Sequence, residues 1–215
     1  MLHFNLQSIA LRGFAVACLS TLVAAGSLFA APQDGKKDQR APRVVTSVDV
    51  EKASAEELIE LTGRAFKRLQ QLEGTWVASY PGFEKAAPVE VTYRNIGRGS
   101  AVVETFRPGL QNETQTIYVR TRNGLRANHV CAYGTQPVMQ LFGSAKGGDL
   151  FVFQEAGGTN LDVLGDETRR MRLESLEFPS EDRVVAVWST FEGEKALGPP
   201  TPVVLTRKSS GAPTE

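Results

Sequence analysis

His129 and Cys131 stand two residues apart in Leu125-Arg126-Ala127-Asn128-His129-Val130-Cys131. In an extended strand that spacing puts both side chains on one face. An imidazole beside a thiol can serve three chemistries: soft-metal or redox binding, thiolate nucleophilic attack, or a polar anchor within an apolar pocket. Zinc needs three or four ligands, and no spacing motif recruits Asp162 or Glu104 to complete such a set. A thiolate nucleophile needs an orienting carboxylate and an oxyanion hole, and the sequence marks neither. A structural role stands beside these, as a hydrogen-bonded imidazole packed against an inert buried thiol.

Leu125, Ala127 and Tyr133 share the face of His129 and Cys131, and this more apolar face is expected to point inward. Gln136, just after that strand, is a candidate for the rim of a pocket, or a turn amide bonded to nearby backbone. Asn160 lies in Gly158-Thr159-Asn160-Leu161-Asp162, read either as a binding loop or as an Asx turn. Arg172 belongs to the cluster Arg169-Arg170-Met171-Arg172, which suits an anionic ligand such as a fatty acid or phosphate, or plain surface charge. The candidate ligand-binding set is therefore His129, Cys131, Tyr133, Gln136, Asn160 and Arg172. No catalytic residue, metal ligand or cofactor is assigned. Glu104 sits in an apolar run; if it faces inward it needs a cation, Arg170 or Arg172, and if outward it meets solvent. The chain has no Walker loop, zinc signature, dinucleotide fingerprint or Gly-x-Ser-x-Gly elbow.

The elements that must position these residues are mostly strands. Ser54-Ala55-Glu56-Glu57 matches a capping box, and Leu58, Ile59, Ala65, Phe66, Leu69 and Leu72 follow at helical spacing. This predicts one amphipathic helix within residues 53–73, from about Ala55 to Gln71. From Gly74 the period becomes two: Val89, Val91 and Tyr93 alternate with Glu90, Thr92 and Arg94. Ser100–Phe106, Thr114–Thr121, Leu125–Tyr133, Leu150–Gln154, Met171–Phe178, Val184–Phe191 and Val203–Arg207 are further strand-like runs. Asn123-Gly124 marks a hairpin, and Gly157-Gly158 opens a longer loop. About nine or ten short strands with short connections predict an antiparallel up-and-down β-barrel over residues 74–208, since closure removes exposed edges. Residues 209–215 read as a disordered tail.

The first 31 residues carry only Arg12 among charged side chains. An apolar run from Phe14 to Ala25 and the small residues of Ser27-Leu28-Phe29-Ala30-Ala31 read as a signal peptide. An uncleaved anchor over Gly13–Ala31 is the alternative. Residues 32–52, rich in Pro, Lys, Gln and Arg, read as a flexible tether. Removal of 1–31 takes Cys18 with it, so Cys131 is left without an internal disulfide partner, and 23 basic face 24 acidic residues. That balance gives no concentrated basic surface for nucleic acid.

Gly74-Thr75-Trp76 at the first strand and Leu205-Thr206-Arg207 at the last resemble the lipocalin and wider calycin arrangement. The resemblance implies that Trp76 plugs one end of the barrel and Arg207 lies over its indole. A longer series is similar to a large group of uncharacterised exported bacterial proteins with a lipocalin-like or nitrobindin-like barrel. It comprises Val91-Thr92-Tyr93, Gly99–Thr105, His129-Val130-Cys131-Ala132, Gly134-Thr135-Gln136-Pro137 and Gly158–Asp162. The likeness runs from about Leu69 to Arg207 and implies a fold, not a reaction. In those relatives histidines flank the methionine that opens the eighth strand. Here Arg170-Met171-Arg172 occupies that place, so a shared metal or haem role does not carry over.

The expectation is an extracytoplasmic protein, periplasmic or secreted, that holds a small hydrophobic or amphipathic molecule in its barrel. It has no nucleic-acid partner, and no membrane partner in the mature form. Two alternatives remain: an interaction module whose barrel is filled by its own side chains, and an enzyme on a hydrophobic substrate with His129 as acid or base.

Overall fold

The computed structural model describes residues 54–209, apart from 83–84, 86, 146–147 and 163–166. The expected leader and tether, and residues 210–215 of the tail, lie outside the described residues.

Helix α1 spans Ala55–Gln70. Its start is a reciprocal cap: Glu57 N–H donates to Ser54 Oγ (3.2 Å) and Ser54 N–H donates to Glu57 Oε2 (2.7 Å). Leu61, Ala65, Phe66 and Leu69 are buried and continue the core through Leu72. Ile59, expected in this stripe, is instead 71% exposed. It lies in the first turn, where α1 borders a shallow groove beside Arg120–Gly124 rather than the core. Among the described residues, no helix is long and apolar enough to cross a membrane.

Strands follow as β1 (Gly74–Ser79), β2 (Val89–Ile96), β3 (Ala101–Phe106), β4 (Thr114–Thr121), β5 (Gly124–Val130) and β6 (Gln136–Ala145). The remainder are β7 (Leu150–Thr159), β8 (Arg169–Ser180), β9 (Arg183–Glu192), β10 (Lys195–Ala196) and β11 (Thr201–Arg207). Every pairing is antiparallel. Sequential neighbours pair from β1 to β9, and β11 lies between β9 and β1, so ten strands close a barrel with the two-residue β10 appended to β9. The turn that Asn123-Gly124 was expected to make falls one residue earlier, because Thr121 pairs with Gly124 across Arg122-Asn123. Gly157-Gly158 does not open a loop: β7 runs on to Thr159, with Gly158 opposite Pro137. A Cβ at Gly158 would stand 2.5 Å from the Gln136 carbonyl oxygen, so only glycine lets the two backbones meet there. Pro137 lies inside β6 at a register shift, where its missing N–H is tolerated.

One end of the barrel is sealed. Helix α1 packs across the ends of β4, β5 and β6. Trp76 is fully buried at this base and its Nε1–H donates to Leu72 O (2.7 Å). Arg207 stacks over the indole with its guanidinium carbon 4.3 Å from the ring centroid. The same guanidinium donates to Glu73 O, Gln71 O and Asp182 Oδ1. It thus ties the helix exit, the β8–β9 turn and the last strand to the plug. Gly74 adopts φ +129°, and a Cβ there would touch Arg207 Nη1 at 3.4 Å, which gives the glycine of Gly-x-Trp its reason.

Trp76→Ala is expected to destabilise the fold by about 3–5 kcal/mol, because a large buried ring is lost and the base cannot collapse around the hole. Urea unfolding would measure this. A change within about 1 kcal/mol of the parent would contradict the plug.

Candidate functional site

The inward faces of four consecutive strands align one residue from each. Tyr93 on β2 is opposite Glu104 on β3, Glu104 opposite Thr116 on β4, and Thr116 opposite His129 on β5. Barrel strands tilt, so this row climbs from Tyr93, which adjoins the Trp76 plug, toward His129 near the far end. Its side chains form a connected polar network within an apolar interior. Tyr93 OH donates to Glu104 Oε2 (2.5 Å), as does Tyr118 OH (3.1 Å). Thr116 Oγ1 lies 3.3 Å from Glu104 Oε1 and 3.0 Å from His129 Nδ1. Glu104, Thr116, Tyr93 and Tyr118 are each 2% exposed or less, and His129 is 4% exposed.

Glu104 therefore faces inward, and the cation expected beside it is replaced by three hydroxyl donors. Desolvation raises its pKa above the usual carboxylate range, against the three hydrogen bonds that favour the charge. Burial and the adjacent carboxyl hold both phenols well above their ordinary values, so both remain protonated. Desolvation lowers His129 to a pKa of about 4, which leaves the ring neutral at physiological pH. His129 Nε2 is buried and has no hydrogen-bond partner among the described residues.

The imidazole rests against Trp188 of β9, ring centroids 4.9 Å apart, although β6, β7 and β8 separate the two strands around the ring. At that level the barrel's own side chains span its interior. Beyond it, at the end away from α1, lie Tyr80, Val89, Phe106 and Met171, partly buried and packed against the core. This end therefore has a half-buried apolar rim, and His129 lies toward the same end of the barrel.

The six sequence candidates do not converge. His129 and Cys131 are buried, as are Leu125 and Ala127. Tyr133, expected on the same inward face, is 51% exposed, because β5 ends at Val130 and the chain turns where Gly134 N–H donates to Cys131 O. It lines a surface depression with Glu167, Arg169 and Glu192. Gln136 is exposed at the start of β6. Asn160 takes φ 58° in the turn after β7 and donates to Gly134 O (3.4 Å), which ties two turns together. Arg172 points to the outer side, paired with Glu174 (2.8 Å) and stacked on Phe191.

The arginine cluster is already neutralised. Arg169 pairs with Glu192 (2.9 Å), and the buried Arg170 guanidinium pairs with Glu155 (3.1 Å) and Glu194 (3.2 Å). Among the described residues, no group of three or more His, Cys, Asp or Glu is placed to hold a metal ion. Sequence reasoning missed Tyr93, Thr116, Tyr118 and Trp188. Only the register of the hairpins joins them to His129. Compared with protein-family models and with curated proteins, the chain finds no match.

The network has opposite effects on the two limbs of the pH–stability profile. Between the ordinary histidine pKa of 6.5 and about 4, the unfolded chain takes up a proton that folded His129 refuses. Its contribution is full above the upper value and is lost as pH falls. Glu104 has the reverse sign, because its folded pKa is raised and its contribution fades as pH rises. His129→Gln is expected to flatten the loss of stability between about pH 7 and about pH 5, read from urea midpoints. Identical slopes for parent and variant would contradict a buried neutral imidazole.

Proposed function

We propose that this protein is an extracytoplasmic carrier or sensor of a small amphipathic molecule, bound at the barrel end away from α1. The apolar part of the ligand lies against Tyr80, Phe106, Met171 and Trp188, and its polar end meets His129 Nε2. The observation that carries the reading is this nitrogen: a buried polar atom without a partner among the described residues, beneath a half-buried apolar rim. A buried polar atom left unpaired costs roughly 1–3 kcal/mol. A ligand that supplies the missing hydrogen bond recovers that cost as affinity. The compartment rests on the leader read over residues 1–31 and on the resemblance to exported barrels.

A specific observation limits the site. The His129–Trp188 contact spans the interior, so the ligand occupies the end of the barrel and not its full length. This brings in part of the filled-barrel alternative, with the lower interior structural and the upper rim functional.

Native mass spectrometry of protein recovered from the extracytoplasmic space of its own host is expected to reveal a retained small molecule. Phe106→Arg, which places a charge in the apolar rim, is expected to abolish the retention while thermal unfolding stays cooperative. A bare mass for the parent protein would count against a ligand site and for an interaction module.

A further inference from the structure

Resting on the binding reading above, we propose that Glu104 and Thr116 fix the tautomer of His129, so that its Nε2 accepts a hydrogen bond. The ligand class is then an amphiphile whose polar end is a neutral donor, a hydroxyl or an N–H, and not a carboxylate or phosphate.

The argument is a count of hydrogens. Glu104 acts as the acceptor in this row, and Tyr93, Tyr118 and Thr116 all bring hydroxyls to it. Each phenol has its hydrogen bond to that carboxylate. Thr116 has one hydrogen as well, and its direction decides the matter. When it points to Glu104, the Thr116 oxygen can only accept from His129 Nδ1, 3.0 Å away. Nδ1 then carries the ring proton. In a neutral imidazole the other nitrogen must present a lone pair. The three hydroxyls around Glu104 thereby set the polarity of an atom two hydrogen bonds away.

Anionic head groups fit this arrangement poorly. A carboxylate would place lone pairs against the lone pair of Nε2, and would bring a charge into a poorly solvated interior beside the Glu104 carboxyl. The three arginines of the β8 cluster that could offset it are engaged elsewhere, Arg169 with Glu192, Arg170 with Glu155 and Glu194, and Arg172 with Glu174, while Arg107 lies beside Tyr80 at the rim. A hydroxyl or N–H supplies what Nε2 lacks and adds no charge.

Two measurements on the chain with residues 1–31 removed test this, since His129 is then its sole histidine. Long-range proton–nitrogen NMR of ¹⁵N-labelled histidine is expected to give the Nδ1–H pattern in the parent and in Thr116→Ser, and to lose that preference in Thr116→Val. An Nε2–H pattern in the parent overturns the proposal, whether or not the valine variant folds. Trp fluorescence titration with 1-dodecanol and with dodecanoate is expected to give binding about tenfold or more in favour of the alcohol. Equal or tighter binding of dodecanoate overturns the ligand class while leaving the site in place. If neither probe binds, the binding reading fails and takes the ligand class with it, and the NMR pattern then decides the tautomer alone.

Discussion

A carboxyl group inside a barrel without a cation beside it constrains everything nearby. Glu104 is 1% exposed, and an unpaired charge there would cost far more than a single domain's margin of stability. The structure meets that demand with hydroxyls from both flanking strands, Tyr93 on β2 and Thr116 and Tyr118 on β4. The register of two consecutive hairpins is thereby tied to one residue. A two-residue slip in either would leave the carboxyl short of donors, and a one-residue slip would turn it out of the barrel. The row ends on His129, so the group that demands satisfaction also orients the imidazole.

The two ends of the barrel follow different logics. At the base, Trp76, Arg207 and α1 form a closed assembly in which the indole N–H and the guanidinium donors meet backbone carbonyls or a carboxylate. That end is built for stability. At the other end the apolar side chains are only partly covered, and the His129 ring nitrogen lacks a partner among the described residues, as do Thr62 Oγ1 and Asn95 Oδ1 near the base. Structures tend to leave such polar groups unsatisfied where a ligand, a water or a reaction completes them. Trp188 divides the two regimes by reaching across to His129.

Much of the fold is legible in the sequence, because its strongest signals are local. The capping box at Ser54 places the helix start, the period-two runs place most strands, and Trp76 and Arg207 mark the base. The site is less legible, because it depends on register. A turn centred on Asn123-Gly124 would pair His129 with Tyr118, whereas the observed loop of Arg122-Asn123 pairs it with Thr116. Both registers keep His129 inward, yet only the second gives its ring this partner. Tyr133 follows the period-two pattern on paper, but the strand has ended by then. The sequence marks no carboxylate partner for Arg170 and Arg172 other than Glu104. Their carboxylates lie on β7, beyond β9, or two residues along β8.

The central claim is that an amphipathic molecule completes His129 Nε2 beneath the apolar rim. A crystal structure of the protein taken directly from its native compartment addresses this most directly. The account predicts continuous density for a chain-like molecule between Phe106 and Met171, with a donor atom at hydrogen-bond distance from Nε2. Density for ordered water alone at that nitrogen, with the rim side chains packed against one another, would contradict it.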